Sequence, residues 1–167
     1  MSTISFKDIE MSTHGELPAV GEHIQEVLLT KNDLSTVNLA EYRGSRLLIN
    51  VYPSIDTQVC FQSVLDFSSQ LEATNTQLLC VSMDLPFALK RIAEGTAALR
   101  HIHFLSDFRN RSFGHLFGLT IADGPLAGLL ARAVILVDED QRVVYRELVQ
   151  DISQVPNYAE AMAHIEA

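Results

Sequence analysis

Short, almost wholly apolar runs punctuate the chain. Arg46–Tyr52 (RLLINVY), Gln77–Met83 (QLLCVSM) and Ala131–Val137 (ARAVILV) are rich in aliphatic and β-branched residues. Runs of this length and composition predict buried strands, and the first stops at Pro53, which cannot donate to a sheet ladder. After it, Cys60, Val64, Phe67 and Leu71 follow steps of four, three and four. That spacing predicts a helix with one face on a core, leaving Ser68, Ser69 and Gln70 to face water. Pro86 stands where a helix through Arg91 can begin. His101–Leu105 reads as a third strand, with His101 and His103 on the same side of it, and Arg109–Phe117 as a short helix. Arg142–Leu148 pairs with Ala131–Val137 across the polar turn Asp138–Gln141 as an antiparallel hairpin, and Asn157–Ile165 closes the chain as a helix. At the other end, Ile4–Phe6 and Glu10–Thr13 predict a small hairpin. A loop through Pro18 and Gly21 and a short strand near Thr36–Leu39 follow.

Strand, helix, strand, helix, strand, hairpin and a last helix form an α/β arrangement, a mixed sheet with helices on both faces, on the thioredoxin-like plan. No repeat, linker or low-complexity tract interrupts residues 1–167, so a single domain is expected. With 47% hydrophobic and 20% charged residues, the chain can bury one sizeable core. Twelve Lys and Arg against 21 Asp and Glu leave a net charge of −9, which argues against nucleic acid and anionic membrane partners. No apolar run approaches the ~20 residues of a membrane span, and the N-terminal residues lack the features of a secretory signal, so a cytoplasmic protein is expected. Cys60 and Cys80 are the only cysteines. They are too few for a disulfide framework or a zinc cluster, and His101 with His103 lacks a third ligand, so no metal is expected. The other histidines are scattered, and none pairs with Cys60 in the manner of a cysteine hydrolase.

The segment Pro53-Ser54-Ile55-Asp56-Thr57-Gln58-Val59-Cys60 joins a buried strand to the amphipathic helix. It sets a cysteine in the first helical turn, where free N–H groups and the positive end of the helix dipole favour the nucleophilic thiolate over the thiol. Thr57 is placed either to cap the helix or to orient an incoming oxygen, and the two roles are compatible. Arg132 opens an apolar strand, where a permanent charge is costly unless it meets an anion. A thiolate at Cys60 would serve. The other reading is an edge arginine paired with Asp138, Glu139 or another surface acid.

The run PSIDTQVC resembles the active-site segment of the peroxiredoxins, with Pro, three residues, Thr or Ser, two residues and Cys. LLCVSMDLPFA (78–88), SDFRN (106–110), ADGPLAGLLARAVILVDE (122–139) and the N-terminal hairpin are similar to the bacterial thiol peroxidase branch. The resemblance implies a thioredoxin-like fold of peroxiredoxin type with an N-terminal β-hairpin. It implies that Cys60 is the peroxidatic cysteine, that Pro53 and Thr57 shape its pocket, and that Arg132 lies beside its sulfur. The implied activity is reduction of H₂O₂ and organic hydroperoxides to leave a sulfenic acid, with no metal, flavin or haem. The implied assembly is a homodimer, with the turn Asp123-Gly124-Pro125 near its contact.

One feature of the branch is missing. Its second, resolving cysteine belongs in the helix that here reads LKRIAEG, where Ile92 or Ala93 stands instead. Cys80 lies inside a strand, poorly placed to meet the top of a helix, and reads as a buried structural thiol. Recycling then falls to an external thiol such as thioredoxin or glutathione, or to a second subunit joined through Cys60, and the first is preferred. A rival reading is a redox sensor or binding protein that signals through the oxidised cysteine without turning over.

Overall fold

The computed structural model describes residues 1–166. The N-terminal hairpin forms as β1 (Thr3–Phe6) and β2 (Ile9–Ser12), an antiparallel pair set apart from the main sheet. The main sheet takes in β3 (Leu28–Lys31), β4 (Thr36–Asn38), β5 (Leu47–Val51), β6 (Gln77–Ser82), β7 (His103–Ser106), β8 (Ala133–Val137) and β9 (Val143–Leu148). Its spatial order is β4-β3-β7-β6-β5-β8-β9, with β5, β6 and β7 parallel at the centre and the outer strands antiparallel. The helices are α1 (Gln58–Leu71), α2 (Pro86–Gly95), α3 (Ser112–Leu116) and α4 (Tyr158–Glu166). Parallel neighbours need crossovers, and α1 and α2 supply them.

Alternation along β5 shows how the sheet divides the interior. Leu48, its C-terminal neighbour Tyr52, and Cys80 of β6 pack with Cys60, Val64, Phe67 and Leu71 of α1, Leu89 of α2 and Ala161 of α4. Leu47, Ile49 and Val51 point the other way, into a second cluster with Phe113 and Phe117 at α3 and with Ile4 and Met11 of the hairpin. All five residues of β5 and of β8 are buried, as strands covered on both faces must be. Cys60 therefore starts the face of α1 that lies on the sheet.

Four details differ from the sequence pattern. Ser68 is buried, 7% exposed, because it lies next to Phe67 on the covered side and meets His101, its Oγ 3.5 Å from Nε2. His101 is in the turn before β7, so the two histidines do not share a strand. The helix expected over Arg109–Phe117 shrinks to Ser112–Leu116. Arg111 before it is left-handed at φ 56°, and Asp107 caps it by accepting from the N–H groups of Phe113 and Gly114 at 3.0 and 2.8 Å. Leu28–Lys31 forms β3 although its LLTK run is too short to stand out.

Gly118, just past α3, has φ +66°, and a Cβ there would lie 2.2 Å from the Glu16 nitrogen. Gly44, at φ +94°, has open space around its Cβ position, and Gly95 ends α2 with neither constraint. Gly118→Ala is expected to lower stability by more than about 3 kcal/mol, through conformational strain plus a clash with fixed backbone. Gly44→Ala should cost about 1 kcal/mol from conformation alone, and Gly95→Ala should be neutral or stabilising by up to about 1 kcal/mol. Urea denaturation of the three variants checks that order.

Candidate active site

Pro53 is buried and ends the ladder of β5, and the chain turns there into α1. Thr57 is the N-cap, in extended conformation at φ −95° and ψ 147°. Its hydroxyl donates to the Ser54 carbonyl at 3.0 Å and accepts from the Cys60 N–H at 3.4 Å. The capping role is thus the one the geometry displays, and it leaves Thr57 exposed while Cys60, the third helical residue, is fully buried. The hydroxyl proton is held by Ser54. Turning it toward an incoming oxygen would require breaking that bond.

The Cys60 sulfur meets Arg132. The Nη2 of Arg132 donates to Sγ at 3.2 Å, and its Nε donates to the Ile152 carbonyl at 2.9 Å. Arg132 is only 2% exposed, and its third nitrogen, Nη1, is buried without a partner among the described residues. The edge-arginine reading therefore fails: the guanidinium pairs with a sulfur and a carbonyl, not with Asp138 or Glu139. A charge so enclosed is costly by several kcal/mol unless an anion or strong acceptors compensate it. Cys60 supplies such an acceptor when it is a thiolate.

A polar seam continues behind the thiol. Ser63 donates to the Cys60 carbonyl at 2.7 Å and accepts from the Asn50 amide at 3.1 Å. Asn50 stands opposite Cys80 in the β5–β6 register, and the Tyr52 hydroxyl is buried without a partner among the described residues. Burial pushes the Cys80 thiol far up, and its polar neighbours Asn50 and Tyr52 offset this only in part. Cys80 is consequently a protonated, solvent-excluded thiol at neutral pH, the opposite of a nucleophile.

Asp84 is the residue that sequence reasoning passed over. Its carboxylate accepts from Ser54 Oγ at 2.9 Å, from the Ile55 N–H at 2.7 Å and from Ser82 Oγ at 2.7 Å. No spacing marks it, since two of these partners lie 30 and 29 residues away in the chain. Arg91 of α2 adds an exposed ion pair to Asp56 at 3.0 Å. Elsewhere, His103 is held below its ordinary range, first by burial and then by Lys31 and His101. Among the described residues no three His, Cys, Asp or Glu side chains lie together as a metal site.

A Redoxin family model matches residues 19–162. The thiol peroxidases of Mycobacterium tuberculosis (strain ATCC 25618 / H37Rv) and Mycobacterium bovis (strain ATCC BAA-935 / AF2122/97) are each 46% identical over 169 residues, covering 100% of both chains. Among solved structures, a peroxiredoxin-like protein from Aquifex aeolicus is 31% identical at a TM-score of 0.91, covering 99% of this chain and 96% of the other. A thiol peroxidase from Chromobacterium violaceum shares the fold at a TM-score of 0.92 and 21% identity, covering 98% of this chain and 95% of its own. Matched from end to end by thiol peroxidases and over most of its length by the Redoxin model, the chain belongs to the redoxin family, in its thiol peroxidase branch.

Proposed function

We propose that this chain is a thiol peroxidase in which Cys60 reduces hydroperoxides, with H₂O₂ and organic hydroperoxides as substrates. The observation that carries the reading is the 3.2 Å contact between a buried guanidinium and the Cys60 sulfur at a helix N-terminus. The thiolate attacks one peroxide oxygen, an S–O bond forms and the O–O bond breaks. The pair from the broken bond leaves on the distal oxygen, which takes a proton and departs as water or an alcohol. Cys60 is left as a sulfenic acid. Arg132 stabilises the sulfur anion before attack, and its unpaired Nη1 remains as a donor for the oxygen that gains charge. Pro53 and Thr57 fix the loop and first turn that hold the thiol. Since Cys60 has no exposed surface, contact with peroxide requires the side chains over it to move.

Regeneration in this reading uses an external thiol of the thioredoxin or glutathione class. It attacks the sulfenic sulfur, water leaves, and a second thiol displaces Cys60 from the mixed disulfide. Cys80 is an unsuitable resolver because its thiol is protonated and locked in the central strand β6. The rival sensor reading is not favoured, because the relatives matched over the whole chain are named thiol peroxidases. A single working domain, a homodimer and a cytoplasmic setting complete the reading. Exposed Leu85 and Phe87 at the start of α2 suit a second copy, and among the described residues no helix is long and apolar enough to cross a membrane.

Cys60→Ser is expected to abolish peroxide consumption in a dithiothreitol-coupled assay, whereas Cys80→Ser keeps most of it. Equal loss in both would return Cys80 to the mechanism. Arg132→Met should slow Cys60 oxidation by about 10²–10³, the usual effect of removing one preorganised donor, as followed by stopped-flow competition. After one equivalent of H₂O₂, intact-mass analysis with a sulfenic-acid trap should find a labelled monomer. A mass two units below the reduced chain, from a Cys60–Cys80 disulfide, is the result that contradicts external recycling.

A further inference from the structure

We propose that Asp84 is a positioning residue for Cys60, clamping the loop before α1 so that the thiol stays sealed against Arg132. This rests on Cys60 being the reacting cysteine. The carboxylate gathers three donors from two places: Ser54 Oγ and Ile55 N–H on the loop, and Ser82 Oγ at the end of β6. Asp84 is itself held, since its own N–H donates to Ser82 Oγ at 3.3 Å and its carbonyl accepts from Ser106 Oγ at the end of β7. The anchor is therefore the parallel centre of the sheet.

Hydrogen bonds lead from the clamp to the main chain of Cys60 without a gap. Asp84 holds Ser54, and Ser54 Oγ also accepts from the Asp56 N–H at 3.2 Å. The Ser54 carbonyl accepts from both the N–H and the hydroxyl of Thr57, at 3.2 and 3.0 Å. Thr57 Oγ1 in turn accepts from the Cys60 N–H. Loosening Ser54 releases the cap, and with it the first turn that aims the sulfur at Arg132. The exposed Arg91–Asp56 pair cannot replace this, because solvent screens it.

The test measures two rates on the full chain in a Cys80→Ser background, so that Cys60 is the one thiol present. One is oxidation by H₂O₂, which needs the aimed thiolate. The other is alkylation by a bulky maleimide, which needs the loop to open. In Asp84→Ala the first is expected to fall about 10- to 100-fold, the scale of a small misplacement of a reacting group, while the second rises several-fold. Asp84→Asn should recover most of the loss. Its amide oxygen can accept from Ile55 and Ser82, and its NH₂ can donate to Ser54. Glu94→Ala, on the exposed side of α2, serves as the control, with both rates unchanged. A merely structural role would raise labelling only in step with a fall in the urea midpoint and leave Asp84→Asn no better than Asp84→Ala, and an irrelevant residue would move neither rate; either result overturns the clamp. Should Asp84→Ala fail to fold, Ser54→Ala, which removes one loop bond, must show the same opposed shifts at smaller amplitude. If the unmutated Cys60 proves inert to peroxide, the peroxidase reading fails. The alkylation arm then decides the clamp alone, with faster labelling of Asp84→Ala supporting it and equal labelling overturning it.

Discussion

A guanidinium sealed in an apolar interior is the constraint around which the rest of this molecule is arranged. Arg132 is the largest of the fully buried side chains among the described residues. Its charge is accommodated only because the first turn of α1 brings a sulfur to one nitrogen and the chain after β9 brings a carbonyl to another. Neither partner suffices alone. A neutral thiol is a weak acceptor, and one carbonyl leaves most of the desolvation cost standing. The sulfur and the carbonyl are thus the two groups that the fold sets against the buried cation.

The two cysteines make the same point by contrast. Both are wholly buried and both belong to the same apolar cluster on one face of the sheet. Cys60 has a helix N-terminus and a cation beside it; Cys80 has a mid-strand position, an amide and a phenol. Equal burial therefore sets the two thiols in unlike surroundings, one facing a cation and one facing uncharged polar groups.

Much of this was legible in the sequence. The central strands, the stripe on α1 and the terminal hairpin follow from periodicity and β-branched content, and the Pro-to-Cys spacing marks the site because a loop, a cap and a helical turn each demand a residue type. What stayed hidden is local in cause. Strand β3 is four residues long and pairs through its neighbours rather than through its own composition. Ser68 turned inward because the helix face is wider than its apolar stripe and a histidine was waiting there. Asp84 and Ile152 act across large sequence separations, one through a carboxylate and one through a main-chain oxygen, and no spacing rule reports such meetings.

Ile152 extends the site further than the thiol loop. Its carbonyl orients the guanidinium, and its own N–H donates to the Ser5 carbonyl at 2.9 Å, while Ser5 N–H donates to Gln150 at 2.7 Å. The amino-terminal ribbon, remote in sequence and outside the large sheet, thereby acts as a brace for the cation. Fraying of the first dozen residues would therefore reach the guanidinium through that one carbonyl.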